Sequence, residues 1–413
     1  MADANPFEPA TRAHALERMA AFQKGMGRDY AARRNYDLGA GGHTGVSQLS
    51  PYVRRRLVTE QEIVAHALEA HSPSAADKFV QEVVWRTYWK GWLEQRPGVW
   101  EDYRYEVAEE HEKLRRYGDM RESYDAAVQG RTGIAPFDEW VEELTATGYV
   151  HNHARMWFAS IWIFTLGLPW SLGAEFFYEN LLDGDPASNT LSWRWVAGVH
   201  TKGRTYLARS SNIAKFTQGR HELPKGVLAP HADPVGETEH PDPQGIPALA
   251  APDWTRRTGL LIVDDDCLPE TLFDRPDRFV ACATVATSVH RSAAGAADHV
   301  VRFEEQALAD TRERMEAAGF AAAEELISAG DVEAWARGQS LDQIVMPVVP
   351  VGTSRDALAP GMRALEASGV AVREVRREWD SFLWPHATAG FFKLKKQIPA
   401  LVKTMIARHP RAA

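Results

Sequence analysis

The sequence predicts a two-part α plus α/β fold: an all-helical N-terminal half, then a smaller α/β domain built on a parallel sheet. Three observations predict it. Residues 10–220 carry apolar positions at three- and four-residue spacing and few alternating strand patterns. Residues 224–253 are dense in Pro, Gly, His, Asp and Glu, including Pro230, Pro234, Pro241, Pro243 and Pro247, which is a linker composition. Residues 255–375 alternate short apolar runs with helical patterns, as a parallel sheet requires. The expected division is 1–226 helical, 227–254 linker and 255–413 α/β.

Within the first part, Ile63–Ala70, Phe79–Leu93 and Phe137–Thr147 show helical periodicity. His153–Leu166 is a nearly continuous apolar run, too short to span a bilayer. It predicts a buried helix ended by Gly167 and Pro169. In the second part, Gly259–Val263, Phe279–Val285, Ile344–Val351 and Val370–Val375 are the strand candidates, and Pro347 and Pro350 weaken the third. Val301–Ala318 and Ala357–Ser368 are the intervening helices. No G-x-G-x-x-G, P-loop or internal repeat is present.

Composition bounds the chemistry. The 413 residues suffice for two domains, and 45% hydrophobic with 25% charged residues is ordinary for a globular protein. A net charge of -9 removes the bulk electrostatic argument for nucleic-acid binding and leaves only a local basic groove. Arg33, Arg34 and Arg54-Arg55-Arg56 are its candidates, with a solvated face as the simpler reading. Two cysteines, Cys267 and Cys282, exclude a disulfide framework and a four-cysteine iron–sulfur cluster. Met1–Ala20 has no long apolar run, so neither a signal peptide nor a membrane span is expected and the expected compartment is the cytoplasm. Of 14 tryptophans, ten precede residue 200, which fits a large aromatic core or a site that stacks planar ligands.

Three clusters carry candidate chemistry. Ser47-Gln48-Leu49-Ser50-Pro51-Tyr52 follows a loop containing Gly39, Gly41, Gly42 and Gly45. Hydroxyls and amides at a helix mouth hold phosphate, though they equally make an ordinary helix cap. In Gln81–Trp89, Glu82 and Arg86 share a helix face beside Trp85 and Trp89. That combination suits a flat polar ligand, or an exposed ion pair above an aromatic core. The third cluster joins His151-Asn152-His153-Ala154-Arg155-Met156, Asp183-Gly184-Asp185-Pro186-Ala187-Ser188-Asn189 and Trp193-Arg194-Trp195. Asp183 and Asp185 beside an apolar helix need partners, and Arg155 is the candidate. His151 and His153 lack a third matched ligand, so no metal is expected.

Taken together, these clusters resemble the FAD-binding domain of photolyases and cryptochromes. That family carries a T-S-x-L-S-P-Y-type loop, an E-x-x-W-R helix, an H-N-x-x-R-M segment, a D-G-D-x-x-x-N loop and a W-x-W pair. All five occur here in that order between residues 47 and 195. The resemblance covers roughly Tyr30 to Arg220. It implies that Tyr30, Ser47, Gln48, Leu49 and Ser50 hold the FAD phosphates and ribityl chain, and that Arg86 faces the flavin. It implies that Arg155 pairs with Asp183, that Asp185 bonds the flavin edge, and that Asn189 sits near its reactive nitrogen. Glu82, Trp85, Asn152, Met156 and Trp195 match positions that contact a flipped pyrimidine dimer. Trp193 and Trp170 match the first two members of an electron relay, whose distal member is not evident; Tyr117 lies near its expected place.

The resemblance therefore implies a carbon–carbon lyase: a light-driven photolyase acting on cyclobutane dimers in UV-damaged DNA, with Glu82, Asn189, Trp193 and Trp170 in catalytic roles. The alternative it implies is a cryptochrome-like blue-light photoreceptor acting through a signalling partner. Thr87 stands where the family commonly has an acid. Val196–Tyr206 replaces a segment that borders DNA in many repair enzymes. The family's usual domain order is also reversed. Trp379–Pro385 and Gly390–Lys393 resemble the end of its antenna domain, as in a permuted chain. A second, antenna chromophore is compatible with the family but is not identified by the sequence.

Overall fold

The computed structural model describes residues 5–237 and 239–406. Met1–Ala4 and residues 407–413, the outer ends of the expected division, lie outside the described residues, as does Thr238 of the expected linker.

Residues 12–216 hold only helices among the described elements, and local sequence explains the main ones. Glu60–Ala70 begins with a capping box, in which Thr59 accepts from Glu62 N while the Glu62 carboxylate bonds back to Thr59 N. Pro73–Glu94 starts at Ser72 with proline in its first turn. Ala135–Thr147 ends at Gly148, whose φ of 70° is the left-handed conformation such a stop requires. The predicted His153–Leu166 helix is α-helical only over Asn152–Ser160. It then widens into a π-helical turn at Ile161–Thr165, with Leu166 N bonded to Ile161 O. Trp170–Asn180 and Pro186–Val196 complete the core, which is rich in Trp140, Trp157, Trp162 and Trp193.

Residues 217–257 contain no helix or strand among the described residues. The five parallel strands are β1 (Thr258–Val263), β2 (Ala281–Val285), β3 (Ala323–Leu326), β4 (Gln343–Pro347) and β5 (Ala371–Val375), in the order β3-β2-β1-β4-β5. β1 aligns Gly259 with Ala281 on one side and with Ile344 on the other. β3 was not predicted: its Ala-Glu-Glu-Leu sequence, half exposed at the sheet edge, carries no apolar alternation. The helices Asp298–Ala317 and Thr353–Ala367 match the two expected.

Packing crosses the sequence division in both directions. Phe7, Ala10, Tyr52 and Leu57 share a core with Leu260, Ile262 and Phe303. Trp379, Leu383, Phe391 and Leu394, which follow β5, lie in the helical core. The segment that resembles the end of an antenna domain is thus packed with the helices.

The Arg54-Arg55-Arg56 run is neither a solvated face nor a basic groove, because all three side chains are buried. Each meets the Asp264-Asp265-Asp266 run that follows β1. Arg54 bonds Asp265 at 2.7 Å, Arg55 pairs with Asp264, and Arg56 bonds Asp266 at 3.0 Å. Glu304, Asp380 and Arg377 complete the network. β1 and β4 flank the point where strand order reverses, the crevice in which open α/β sheets commonly take ligands. Here the helical half fills the β1 end of that crevice with three guanidinium groups.

Candidate flavin site

The site assembles on Pro73–Glu94, Asn152–Ser160 and Pro186–Val196, the last of which packs against both others. Asp185 is the N-cap of Pro186–Val196 and accepts from Ser188 N at 2.9 Å. The loop after β4 holds this cap from outside. A Cβ on Gly352 (φ 152°) would lie 2.3 Å from Pro186, so only glycine permits that approach.

At its centre Arg155 grips Asp183 with two bonds of 3.0 Å, while Arg155 Nε donates to Val150 O. The Arg86 charge acts on Asp183 and on Asp185. Burial works against the charged form of Asp183, but the cations of Arg155 and Arg86 overcome it and hold the carboxyl below its usual range. Asp185 is likewise held down against burial by Lys90, Arg86 and Arg54, with Lys90 at 3.3 Å. Lys90 was not anticipated; a lysine one helical turn beyond Arg86 on an aromatic helix is its only sequence signal. Arg86 Nη1 is buried with no hydrogen-bond partner. Glu82 does not pair with Arg86, as their spacing suggested, but with Arg34.

The remaining predicted residues surround this centre. The Ser50 hydroxyl helps hold Asp183 ionised, Leu49 is buried, and Gln48 takes a left-handed φ of 53° with Nε2 donating to His43 O. Ser47 is half-buried in the same loop. Tyr30 lies edge-on to Phe79 at 5.1 Å. Asn189 Nδ2 donates to Ala174 O at 2.7 Å, which fixes its amide against the Trp170–Asn180 helix. Asn152 is exposed, and Met156 and Trp195 are half-buried, Trp195 beside Tyr206 at 5.7 Å. His151 caps its helix through Nδ1, and burial, with His43 beside it, pushes its imidazole well below the usual range.

Three predicted residues meet unexpected neighbours. Trp85 is stacked on Phe391 at 3.8 Å with 12° between the rings, and Tyr88 and Trp89 flank it. Trp193 is buried and edge-on to Trp162 at 6.2 Å and to Phe177 at 5.2 Å, whereas Trp170 faces Tyr103 at 5.7 Å. Tyr124 extends the Trp162 side at 5.9 Å, and Tyr117 is exposed.

Asp37, His43 and Glu143, which sequence did not single out, form a buried cluster with ligand atoms within 4.8 Å. Hydrogen bonds already occupy it: Glu143 takes His43 Nε2 at 2.6 Å, and Asp37 takes Gly39 N and Trp140 Nε1. It ties the glycine-rich loop to the helix behind it.

An arginine whose buried Nη1 has no hydrogen-bond partner, beside two carboxylates held ionised and with the Ser47 and Ser50 hydroxyls at one end, fits a planar dipolar ring carrying a phosphate tail. This donor set lies in the helical half, on and beside the segment that matches a known cofactor domain. Residues 79–225 match the FAD binding domain of DNA photolyase. Through this segment the chain is similar to the photolyase/cryptochrome family, and FAD is the cofactor that the matched domain binds. It is 30% identical over 199 residues to the deoxyribodipyrimidine photo-lyase of Alkalihalophilus pseudofirmus, covering 47% of this chain and 39% of that protein. It is 35% identical over 196 residues to the enzyme of that name from Streptomyces griseus, covering 47% and 41%. A bacterial class III photolyase from Agrobacterium tumefaciens aligns at 26% identity and a TM-score of 0.42, covering 50% of this chain and 43% of that one. The chain thus spans less than half the length of these relatives. No helix among the described residues is long and apolar enough to cross a membrane.

Proposed function

We propose that the protein is a light-driven FAD flavoprotein whose flavin lies against Arg86, Arg155, Asp183 and Asp185. The observation that carries this reading is the Arg155–Asp183 fork beside the unpartnered Arg86 Nη1. FAD supplies light absorption and one-electron chemistry there; the protein supplies binding, orientation and a path for electrons. Arg86 and the two aspartates orient the polar edge of the ring. Tyr30, Ser47, Gln48, Leu49 and Ser50 hold the phosphate end. Asn189, its amide fixed by Ala174, meets the ring with a set orientation. Trp193 and Trp170 form the flavin-side members of the electron path, with Trp162 as a packed neighbour of Trp193. Trp193→Phe is expected to slow light-driven reduction about tenfold or more with FAD content unchanged, and an unchanged rate means that electrons arrive by another route.

Two finer readings follow. In the first, Glu82, Trp85, Asn152, Met156 and Trp195 receive a flipped cyclobutane dimer from UV-damaged DNA and the protein is a photolyase. Burial raises the Glu82 carboxyl above its usual range, opposed by Arg34, which suits an acid that donates to the dimer carbonyls. Glu82→Ala is then expected to lower repair yield and spare FAD binding, and unchanged yield refutes that role. In the second, the protein is a cryptochrome-like blue-light photoreceptor that acts through a protein partner. The Arg34–Glu82 pair and the covered face of Trp85 favour this second reading, since a dimer meets both already engaged. Blue-light repair of a dimer-containing oligonucleotide by the FAD-loaded protein separates the two.

A further inference from the structure

We propose that Phe391 is a built-in occupant of the base-stacking face of Trp85, so that the segment from Trp379 to Lys395 decides whether an unstacked nucleobase reaches Glu82. This rests on reading the face as the one that a photolyase-type site turns to nucleic acid. The ring separation of 3.8 Å and the 12° tilt are those of two stacked planes. A base arriving from DNA stacks on aromatic faces in just this way. Phe391 is 3% exposed and Phe392 is 73% exposed, so the first ring is committed to Trp85 and the second to solvent.

The segment is anchored to the C-terminal part of the Pro73–Glu94 helix, to the two residues after it and to Asp77 near its start. Trp379 Nε1 donates to Thr87 Oγ1 at 2.9 Å. Thr87 is the position where the family commonly has an acid, and here it serves as an acceptor for the covering segment. Trp384 lies so close to Gly91 that a Cβ there would stand 2.8 Å from its ring. Gln95 Nε2 donates to Trp384 O, and Arg96 Nη2 donates to Thr388 O, both at 2.8 Å. Beyond Phe391, Lys395 comes within 3.9 Å of Asp77 near the start of the same helix. Phe391 is therefore held between fixed points on both sides. A base gains the Trp85 stack only by losing the Phe391 stack, and the exchange leaves little net preference for an extruded base.

The test is equilibrium binding of FAD-loaded protein to one oligonucleotide with and without a single cyclobutane dimer. The wild type is expected to distinguish the two by less than about twofold. Phe391→Ala is expected to bind the dimer-containing strand about tenfold tighter than wild type, about 1.4 kcal/mol. The gain is expected to vanish in Trp85→Ala/Phe391→Ala. An unchanged or weaker Phe391→Ala overturns the proposal. A wild-type preference for the dimer above about tenfold also overturns it, and that arm stands if the variant does not fold. FAD content and light-driven reduction in the same samples report on the flavoprotein reading, which neither DNA outcome touches.

Discussion

Arg55→Ala is expected to destabilise the protein by about 3–5 kcal/mol, the usual cost of removing one partner from a buried ion pair. Arg55 is fully buried, and it serves Asp264, Glu304 at 3.2 Å and Ser288 at 2.7 Å at once. Its loss leaves Asp264 and Glu304 without their shared guanidinium in a region closed to water. The same network ties the sheet to the helices, so the damage spreads to both. Asp266 gives the expected pH dependence. Burial opposes its charge, yet Arg377 and Arg56 hold it down to about 2, against an ordinary value of about 3.9. A depressed folded-state value stabilises the protein above the unfolded value. This contribution is therefore intact above about pH 4 and is lost as pH falls through about 2. Asp183, Asp185 and Asp265 shift in the same direction. Chemical denaturation from pH 7 to pH 2 should show wild-type stability falling steeply below about pH 4. A flat profile would mean that the buried aspartates are not ionised as described.

Arg155→Ala is expected to weaken FAD binding by about a hundredfold or more, about 2.7 kcal/mol. The substitution removes both bonds to Asp183 and leaves that carboxylate at 5% exposure with Arg86 and the Ser50 hydroxyl to compensate it. Arg86 is then drawn to Asp183 and is no longer available to the ring. The measurement is fluorescence titration of the apoprotein with FAD, with circular dichroism to confirm the fold. Retained affinity in a folded Arg155→Ala protein would place the flavin elsewhere.

What was legible in the sequence follows from range. Arg155, Asp183, Asp185 and Asn189 lie within 35 positions, on motifs whose spacing fixes their helix faces. The helical half and the parallel sheet were legible because apolar periodicity is local. The pairing of Arg54–Arg56 with Asp264–Asp266 was not, since more than two hundred residues separate the runs and a charge run by itself reads as a wet surface. Arg34 took Glu82 from Arg86 because the short Arg28–Arg33 helix packs on Pro73–Glu94, a tertiary fact that i,i+4 spacing does not contain. Phe391 on Trp85 is of the same kind, although Thr87 marked the place where the motif had adapted to a new neighbour.

The central claim is a light-driven FAD flavoprotein, and its most direct test is blue-light reduction of the purified, FAD-loaded protein followed by absorption, with Trp193→Phe alongside. The account predicts an FAD spectrum that bleaches in light in the wild type and bleaches far more slowly in the variant. A protein that takes up no FAD on reconstitution, or holds FAD that light does not reduce, would contradict it.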